Sequence, residues 1–456
     1  MNSLISLLPL RNKFFLVAGA IVLMFILVAA LFSGNMVQTA PTQAPQDEWR
    51  QVLGKGEARA VWETADHGYV VTGWRQGEAD SGSGIFLVKV DAQGNRVWEK
   101  VFRGNGYSCG YSVQQTVDGG YVVAGDTKSS KGYDHDVYVV KTDDRGKVIW
   151  ERTFGGDRCD YAWSICQTRD GGYIVAGGTE SFGAGIYDVY LIKLNQEGEK
   201  EWERTYGGKG SDCGYAVLQL PDGGYLIAGT TESFGNGSND VYLIRANENG
   251  DRLWEKTYGG PGSDYSWTLR KTLDGGYLLA GEKEFCGDNE GGYHLYLLKT
   301  DAGGNVEWEK TYGEKGCNAA YSACQTDDRG YLLVGKKETR GSHRIWVLKV
   351  DERGNRVWEK TYSGSGSEAA YDLQPASDGG YIIAGKMESA SGSYACLIKL
   401  KQEPGVPEWC RWWSSLPLFF SALFATQESH CSSRSPAGGR SSPICLRWIS
   451  FDWRFG

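Results

Sequence analysis

The chain has 456 residues, 41% hydrophobic and 23% charged, with a formal net charge of -8 and a pI near 5.4. That balance argues against a nucleic-acid binder, because phosphate contacts need clustered Lys and Arg on one face. The length allows a large core, and 64 glycines predict many short strands joined by turns rather than long helices.

Residues 1–13 form a basic flank with Arg11 and Lys13, followed by an unbroken apolar run, residues 14–32. Such a run matches the length of a membrane-spanning helix and exceeds the usual core of a cleaved signal peptide. It is read as a signal anchor, with the flank in the cytoplasm and the rest of the chain outside; the alternative is secretion after cleavage. Residues 33–47, with Pro41 and Pro45, read as a tether.

From there the phrase DGGYIVAG (170–177) recurs in close variants, its tyrosine falling at Tyr69, Tyr121, Tyr173, Tyr225, Tyr277, Tyr331 and Tyr381. A second phrase, WEKTYGG, keeps the same beat through Trp49, Trp98, Trp150, Trp202, Trp254, Trp308 and Trp358. A period near fifty residues marks a repeat architecture. Within residues 111–156, YSVQQT, YVVAGDT, DVYVVKT and KVIWERTF read as four strands, and the short D-G and R-G turns predict antiparallel hairpins. The expected fold is therefore all-β: residues 48–401 as a seven-bladed β-propeller of four-stranded blades, preceded by the transmembrane helix. Trp49 lies in a fourth strand with no preceding three, and the seventh repeat lacks its fourth strand, so the N-terminal strand should complete the last blade. Trp409 offers a competing strand, weakened by Pro404 and Pro407. Residues 402–456 share nothing with the repeats and read either as an out-of-frame stretch or as an extension outside the propeller.

Two cysteine pairs, Cys159 with Cys166 and Cys317 with Cys324, recur at one spacing, and buried free thiols are the expectation. No histidine stands at a metal-ligand spacing from cysteine, and no nucleophile elbow, HExxH or phosphate loop is present.

Across residues 136–156 the spacing Asp143, Gly146, Trp150, Gly155 resembles the tryptophan-docking motif of the quinoprotein dehydrogenase propellers. The rest of the unit looks like the repeats of uncharacterised exported propellers of bacteria and archaea. The resemblance implies a propeller with structural docking tryptophans. Quinoproteins are typically eight-bladed and hold pyrroloquinoline quinone with a vicinal disulfide and calcium; this chain has no adjacent cysteines, so no redox residue is transferred. No cofactor is expected, calcium alone being left open.

In a propeller the start of each inner strand and the end of each second strand meet at one mouth of the channel. Thirteen residues before the repeated tyrosine stand Asp160, Asp212, Asp264, Asn318 and Glu368, and seven after it Glu180, Glu232, Glu284, Glu338 and Glu388. These ten are the candidate ligand-binding residues, since an acidic ring would attract a cation or basic partner. The competing reading is turn capping through backbone N–H groups. Glu63, Gln115, Gln167, Gln219, Lys271 and Gln325 form a second set, and Tyr111, Trp163, Tyr215, Trp267, Tyr321 and Tyr371 a third, able to stack on sugars or wedge between blades. The functional expectation is a binding scaffold for an unidentified protein, polysaccharide or cationic ligand. The alternative is an enzyme that hydrolyses polysaccharide through paired carboxylates.

Overall fold

The computed structural model describes residues 43–77, 82–104, 106–128, 134–285, 291–314 and 316–403. The chain divides into two units, residues 1–406 and 407–456. The apolar run 14–32, the second unit and Trp409 lie outside the described residues, so the expected membrane helix and the tail are not among them. Among the described residues no helix is long and apolar enough to cross a membrane.

Twenty-seven strands follow one another among the described residues. The first repeat holds β1 (Asp47–Glu63), β2 (Tyr69–Gln76), β3 (Ser83–Val90) and β4 (Arg96–Phe102). The second holds β5 (Ser108–Gln115), β6 (Tyr121–Lys128), β7 (His135–Thr142) and β8 (Val148–Phe154), and the third β9 (Asp160–Gln167), β10 (Tyr173–Thr179), β11 (Asp188–Leu194) and β12 (Lys200–Tyr206). Then come β13 (Asp212–Gln219), β14 (Tyr225–Thr231), β15 (Asp240–Ala246) and β16 (Arg252–Tyr258), and β17 (Asp264–Lys271), β18 (Tyr277–Phe285), β19 (Gly292–Thr300) and β20 (Val306–Tyr312). The last two repeats supply β21 (Ala319–Gln325), β22 (Tyr331–Thr339), β23 (Ser342–Val350) and β24 (Arg356–Tyr362), then β25 (Ala369–Pro375), β26 (Tyr381–Ser389) and β27 (Gly392–Leu400).

Five sheets have four antiparallel strands in sequence order, and the sixth has seven, ordered β25-β26-β27-β1-β2-β3-β4. The long β1 explains the difference. Its first half pairs with β27 (Trp49↔Lys399, Gln51↔Leu397) and its second half with β2 (Val61↔Val71), so one strand links the last repeat to the first. The first strands also contact in sequence, β1 to β5, β9, β13, β17, β21 and β25, and β25 touches β1 again. Sheets laid side by side with their first strands in a closed ring make a β-propeller.

Packing follows from the sequence of the middle strands. VYLIK-type runs are buried on both faces, as in β11, because each sheet is covered by two neighbours. One core cluster joins Val122, Val137 and Val139 of one sheet to Ile165, Tyr173 and Ile192 of the next, and another joins Ile174 and Leu191 to Ile227 and Ile244. Each fully buried Val, Leu or Ile contributes about 1.5–3 kcal/mol. The repeated tryptophans are clamps between sheets: Trp98 packs on Tyr121, Trp150 on Tyr173 and Trp202 on Tyr225, at 5.7–5.8 Å between rings. Trp150 also donates its Nε1–H to Gln196 O of the following repeat. Gly198 lies against Trp150 with φ +77, so a side chain there would meet both the ring and the wrong backbone region.

Candidate functional site

The second candidate set belongs to the frame. Gln115, Gln167, Gln219 and Gln325 each accept a backbone N–H from the preceding repeat's hairpin, at Ala65, Val117, Arg169 and Leu273 (2.8–2.9 Å). Glu63 accepts from Ser377 N, which continues the pattern across the joined ends. The aspartate of DGGY, or of DRGY at 328–331, is also structural: Asp118, Asp170, Asp274 and Asp328 hold Lys141, Lys193, Lys299 and Lys349, whose side chains are otherwise buried. A lysine in a middle strand needs that partner, and burial of an unpaired ammonium would be costly.

The acidic ring requires a correction. Asp160, Asp212, Asp264, Asn318 and Glu368 are not open to the mouth; all five are buried, at 0–1% exposure. Each is held by the loop that precedes it. Asp160 Oδ2 accepts from Gly156 N and Ser181 Oγ, Asp212 Oδ2 from Gly208 N and Ser233 Oγ, and Asp264 Oδ2 from Gly260 N. Glu368 accepts from Gly366 N and pairs with Arg344 at 2.8 Å. The physical reason is the orphan N–H groups of a glycine-rich loop, which a short carboxylate satisfies from the adjoining strand. The second tier lies nearer the surface and does related work: Glu232, Glu284, Glu338 and Glu388 accept from Ser211, Ser263, Cys317 and Ser367 N, and Glu180 is half-buried.

The third set forms the inner lining, by a device the spacing did not reveal. Every first-to-second-strand ladder slips by one residue, between Ala58 and Ala60, Gly110 and Ser112, Gly214 and Ala216, Ser266 and Thr268, and at the equivalent places in the other repeats. The bulged residues are Arg59, Tyr111, Trp163, Tyr215, Trp267, Tyr321 and Tyr371. A bulge leaves its residue out of the ladder and re-aims its side chain. Successive rings touch: Trp163 and Tyr215 at 4.8 Å, Tyr215 and Trp267 at 4.5 Å, Tyr321 and Tyr371 at 5.4 Å, with Arg59 over Tyr371 at 4.0 Å.

Toward the loop face further rings extend this lining. His135 stacks on Tyr161 and Tyr161 on Trp163, both at 5.7 Å, while Tyr265 stacks on Trp267 at 5.5 Å and meets Tyr293 at 6.1 Å. All six are partly exposed. The loops around them present Phe182, Ile186, Phe234 and Phe285 to solvent. His135 bonds Asp126 at 2.5 Å, and that hydrogen bond to the carboxylate raises its pKa. Burial raises Glu282. On the other side of the lining Lys336 lies over Tyr321 and Lys386 pairs with Glu57.

The described cysteines are free thiols, including both recurrent pairs. Burial pushes Cys109 and Cys324 up to about 12, which makes them unreactive as thiolates. No vicinal pair exists to hold a quinone, so the residues present do not fit pyrroloquinoline quinone. Among the described residues no group of three or more His, Cys, Asp or Glu side chains is arranged for a metal.

No family model matches the chain, and no curated protein does. Among solved structures it is similar to puromycin hydrolase (14% identity, 81% of this chain and 56% of that one, TM-score 0.47). It is also similar to Sqt1 from Chaetomium thermophilum (10%, 78% and 99%, 0.44). A third is the β-propeller domain of the Trilobed protease from Pyrococcus furiosus (12%, 76% and 94%, 0.41).

Proposed function

We propose that the chain is a membrane-tethered, extracytoplasmic seven-bladed propeller that acts as a binding scaffold and takes a cationic partner on its loop face. The blade count rests on the seven-stranded sheet, which divides at the middle of β1 into two four-stranded blades. The docking tryptophans support kinship with the quinoprotein-like propellers in architecture, without their cofactor. The apolar run 14–32 supports the tether.

One observation carries the binding reading. Tyr161 and Trp163 stack, as do Tyr265 and Trp267, all four rings are partly exposed, and the charge of Glu180 acts on Tyr161, those of Glu232 and Glu282 on Tyr265, and that of Glu284 on the neighbouring Tyr293. Aromatic faces edged by carboxylates attract Lys or Arg through cation–π contacts and charge, each cation–π contact contributing about 0.5–2 kcal/mol. Glycoside hydrolysis, the alternative, asks for two carboxylates facing each other across an open cleft. The close pair Asp188 and Asp212 is buried among loop backbone, which favours binding over hydrolysis.

The test is titration of the detergent-solubilised full chain with labelled octalysine, followed by anisotropy. Binding should weaken with salt and fall at least tenfold in Tyr161→Ala combined with Tyr265→Ala. Octalysine binding untouched by that pair would overturn the site. For the tether, membranes washed with salt should retain the chain, and a soluble form beginning near residue 35–41 would show a cleaved signal instead.

A further inference from the structure

The start of each third strand lies beside the start of the next repeat's first strand, and the residues at that junction change along the chain in a way that defines a site. Three junctions carry two aspartates: Asp136 with Asp160, Asp188 with Asp212, and Asp240 with Asp264. A Cβ built at Gly207 would lie 2.5 Å from Asp188 Oδ1 and 2.5 Å from Asp212 Oδ2, so the two carboxylates crowd one point. At Gly155 the same construction meets Asp160 Oδ2 at 2.5 Å and Asp136 Oδ1 at 2.7 Å, and at Gly259 it meets Asp264 Oδ2 at 2.6 Å and Asp240 Oδ1. Asp188, Asp212, Asp240 and Asp264 are all at most 2% exposed.

Two further junctions show what such a place contains when the chain fills it. Arg344 occupies the third-strand position opposite Glu368, and its Nη1 donates to Glu368 Oε2 at 2.8 Å and to Gly366 O at 2.6 Å. Asn318 occupies the first-strand position opposite His294, and its Nδ2 donates to the carbonyls of Tyr293, Glu314 and Gly316. One junction therefore holds a guanidinium against the carboxylate and a loop carbonyl, and the other an amide NH2 among three carbonyls. The aspartate junctions have the same loop oxygens: a Cβ at Gly185 would meet Gly210 O, Gly208 O at 2.8 Å and Tyr187 O at 3.1 Å, and one at Gly237 would meet Gly262 O and Gly260 O at 2.6 Å. Gly210 O already accepts from Ile186 N and Gly262 O from Ser238 N, which leaves each a second lone pair.

An independent sign points to a missing positive charge. Asp160 Oδ1, Asp212 Oδ1 and Asp264 Oδ1 are buried and have no hydrogen-bond partner, although the other oxygen of each carboxylate is bonded. Among the described residues Lys283, 3.6 Å from Asp264, is the one cation paired with Asp160, Asp188, Asp212, Asp240 or Asp264. At Asp188 with Asp212 two adjacent buried carboxylates, one with an unbonded oxygen, face each other with no cation paired to them among the described residues, which is costly. Burial and the neighbouring Asp212 charge raise Asp188 accordingly.

We propose that the junctions of Asp188 with Asp212 and of Asp240 with Asp264 are divalent-cation sites of calcium chemistry, each made of two carboxylates from successive repeats and loop carbonyls. Calcium accepts six to eight oxygens in flexible geometry, including carbonyls and waters, whereas magnesium demands a near-ideal octahedron. Bound there, the ion cross-links the loop before each first strand to the loop before the preceding third strand. The sites do not depend on the partner proposed above; octalysine would compete for the outer face and leave them occupied.

The test uses the full chain, stripped with chelator and titrated with calcium while heat and metal content are measured. Two ions should bind per chain and raise the melting temperature, magnesium should do so far more weakly, Asp188→Asn with Asp212→Asn should bind one, and Arg344→Gln should keep two. Should the double variant fail to fold, terbium luminescence excited through the junction tyrosines of the unaltered chain gives a second readout, saturating at two equivalents and displaced by calcium. Absence of calcium binding by the unaltered chain, or a stoichiometry unchanged in the folded double variant, would overturn the proposal. So would a calcium-indifferent chain in which Asp212→Asn melts higher, since the pair would then be relieved by neutralisation alone.

Discussion

Two arcs of the ring solve one electrostatic problem differently. In the arc of the sixth, seventh and first repeats the chain supplies its own cations: Arg344 against Glu368, Lys336 over Tyr321, Arg59 over Tyr371 and Lys386 against Glu57. In the arc from the second to the fifth repeat the equivalent rings are Trp163, Tyr215 and Trp267, and the equivalent junctions are pairs of aspartates, of which Asp264 alone has a cation, Lys283, paired with it among the described residues. The backbone is the same in both. The difference teaches that a repeat protein can keep its frame constant and vary function by exchanging an internal cation for a place that takes one from outside.

The most drastic way to break the comparison is to open the ring. Deleting residues 1–52 removes most of the β1 half that pairs with β27 and leaves an unpaired edge, so both arcs should lose their cooperative melt together. Deleting 404–456 should leave it in place. A normal melt after the first deletion would show that another segment closes the ring.

Next in size is Arg344→Met, which strips the guanidinium from a fully buried Glu368. Arg344 is itself partly exposed, which moderates the loss to about 3 kcal/mol, measurable by denaturant unfolding. Arg344→Asp sharpens the point: it should be more destabilised still without calcium and regain stability with it, since it recreates an aspartate-type junction.

Gly207→Ala should cost about 1–3 kcal/mol, because its methyl meets both junction carboxylates, and it should weaken calcium binding at that junction alone. The smallest effect concerns pH. Asp126 raises the His135 pKa above 6.5, so the pair's stabilisation is fully present below pH 6.5 and is lost as pH rises through the folded value. The pair is partly exposed, so His135→Gln should flatten the stability profile above pH 6.5 by less than about 1 kcal/mol.

The frame was readable from residues because it depends on local rules repeated many times. Tyr173 and Trp150 mark a beat, D-G turns mark hairpins, and an unaccompanied Trp49 strand points to the seventh repeat, whose β27 it does pair with. The site was only half readable. Spacing located Asp160, Asp212 and Asp264 at the starts of first strands, yet it did not distinguish a carboxylate facing water from one folded under Gly156, Gly208 or Gly260. The glycines of GG before each aspartate carried that signal, since orphan N–H groups need an acceptor. The bulge at Tyr111, Trp163 and Tyr215 left no trace in composition, because a one-residue slip in pairing preserves the spacing. The aspartates at 136, 188 and 240 were visible as the D of DVY, but their partners lie 24 residues on, in the next repeat.

The claim that the arc from the second to the fifth repeat receives cations from outside is tested most directly by crystals grown with terbium in place of calcium. Anomalous scattering should give two strong peaks, between Asp188 and Asp212 and between Asp240 and Asp264, with none between Arg344 and Glu368. Junctions without metal, or a peak at Arg344 equal to the others, would contradict it.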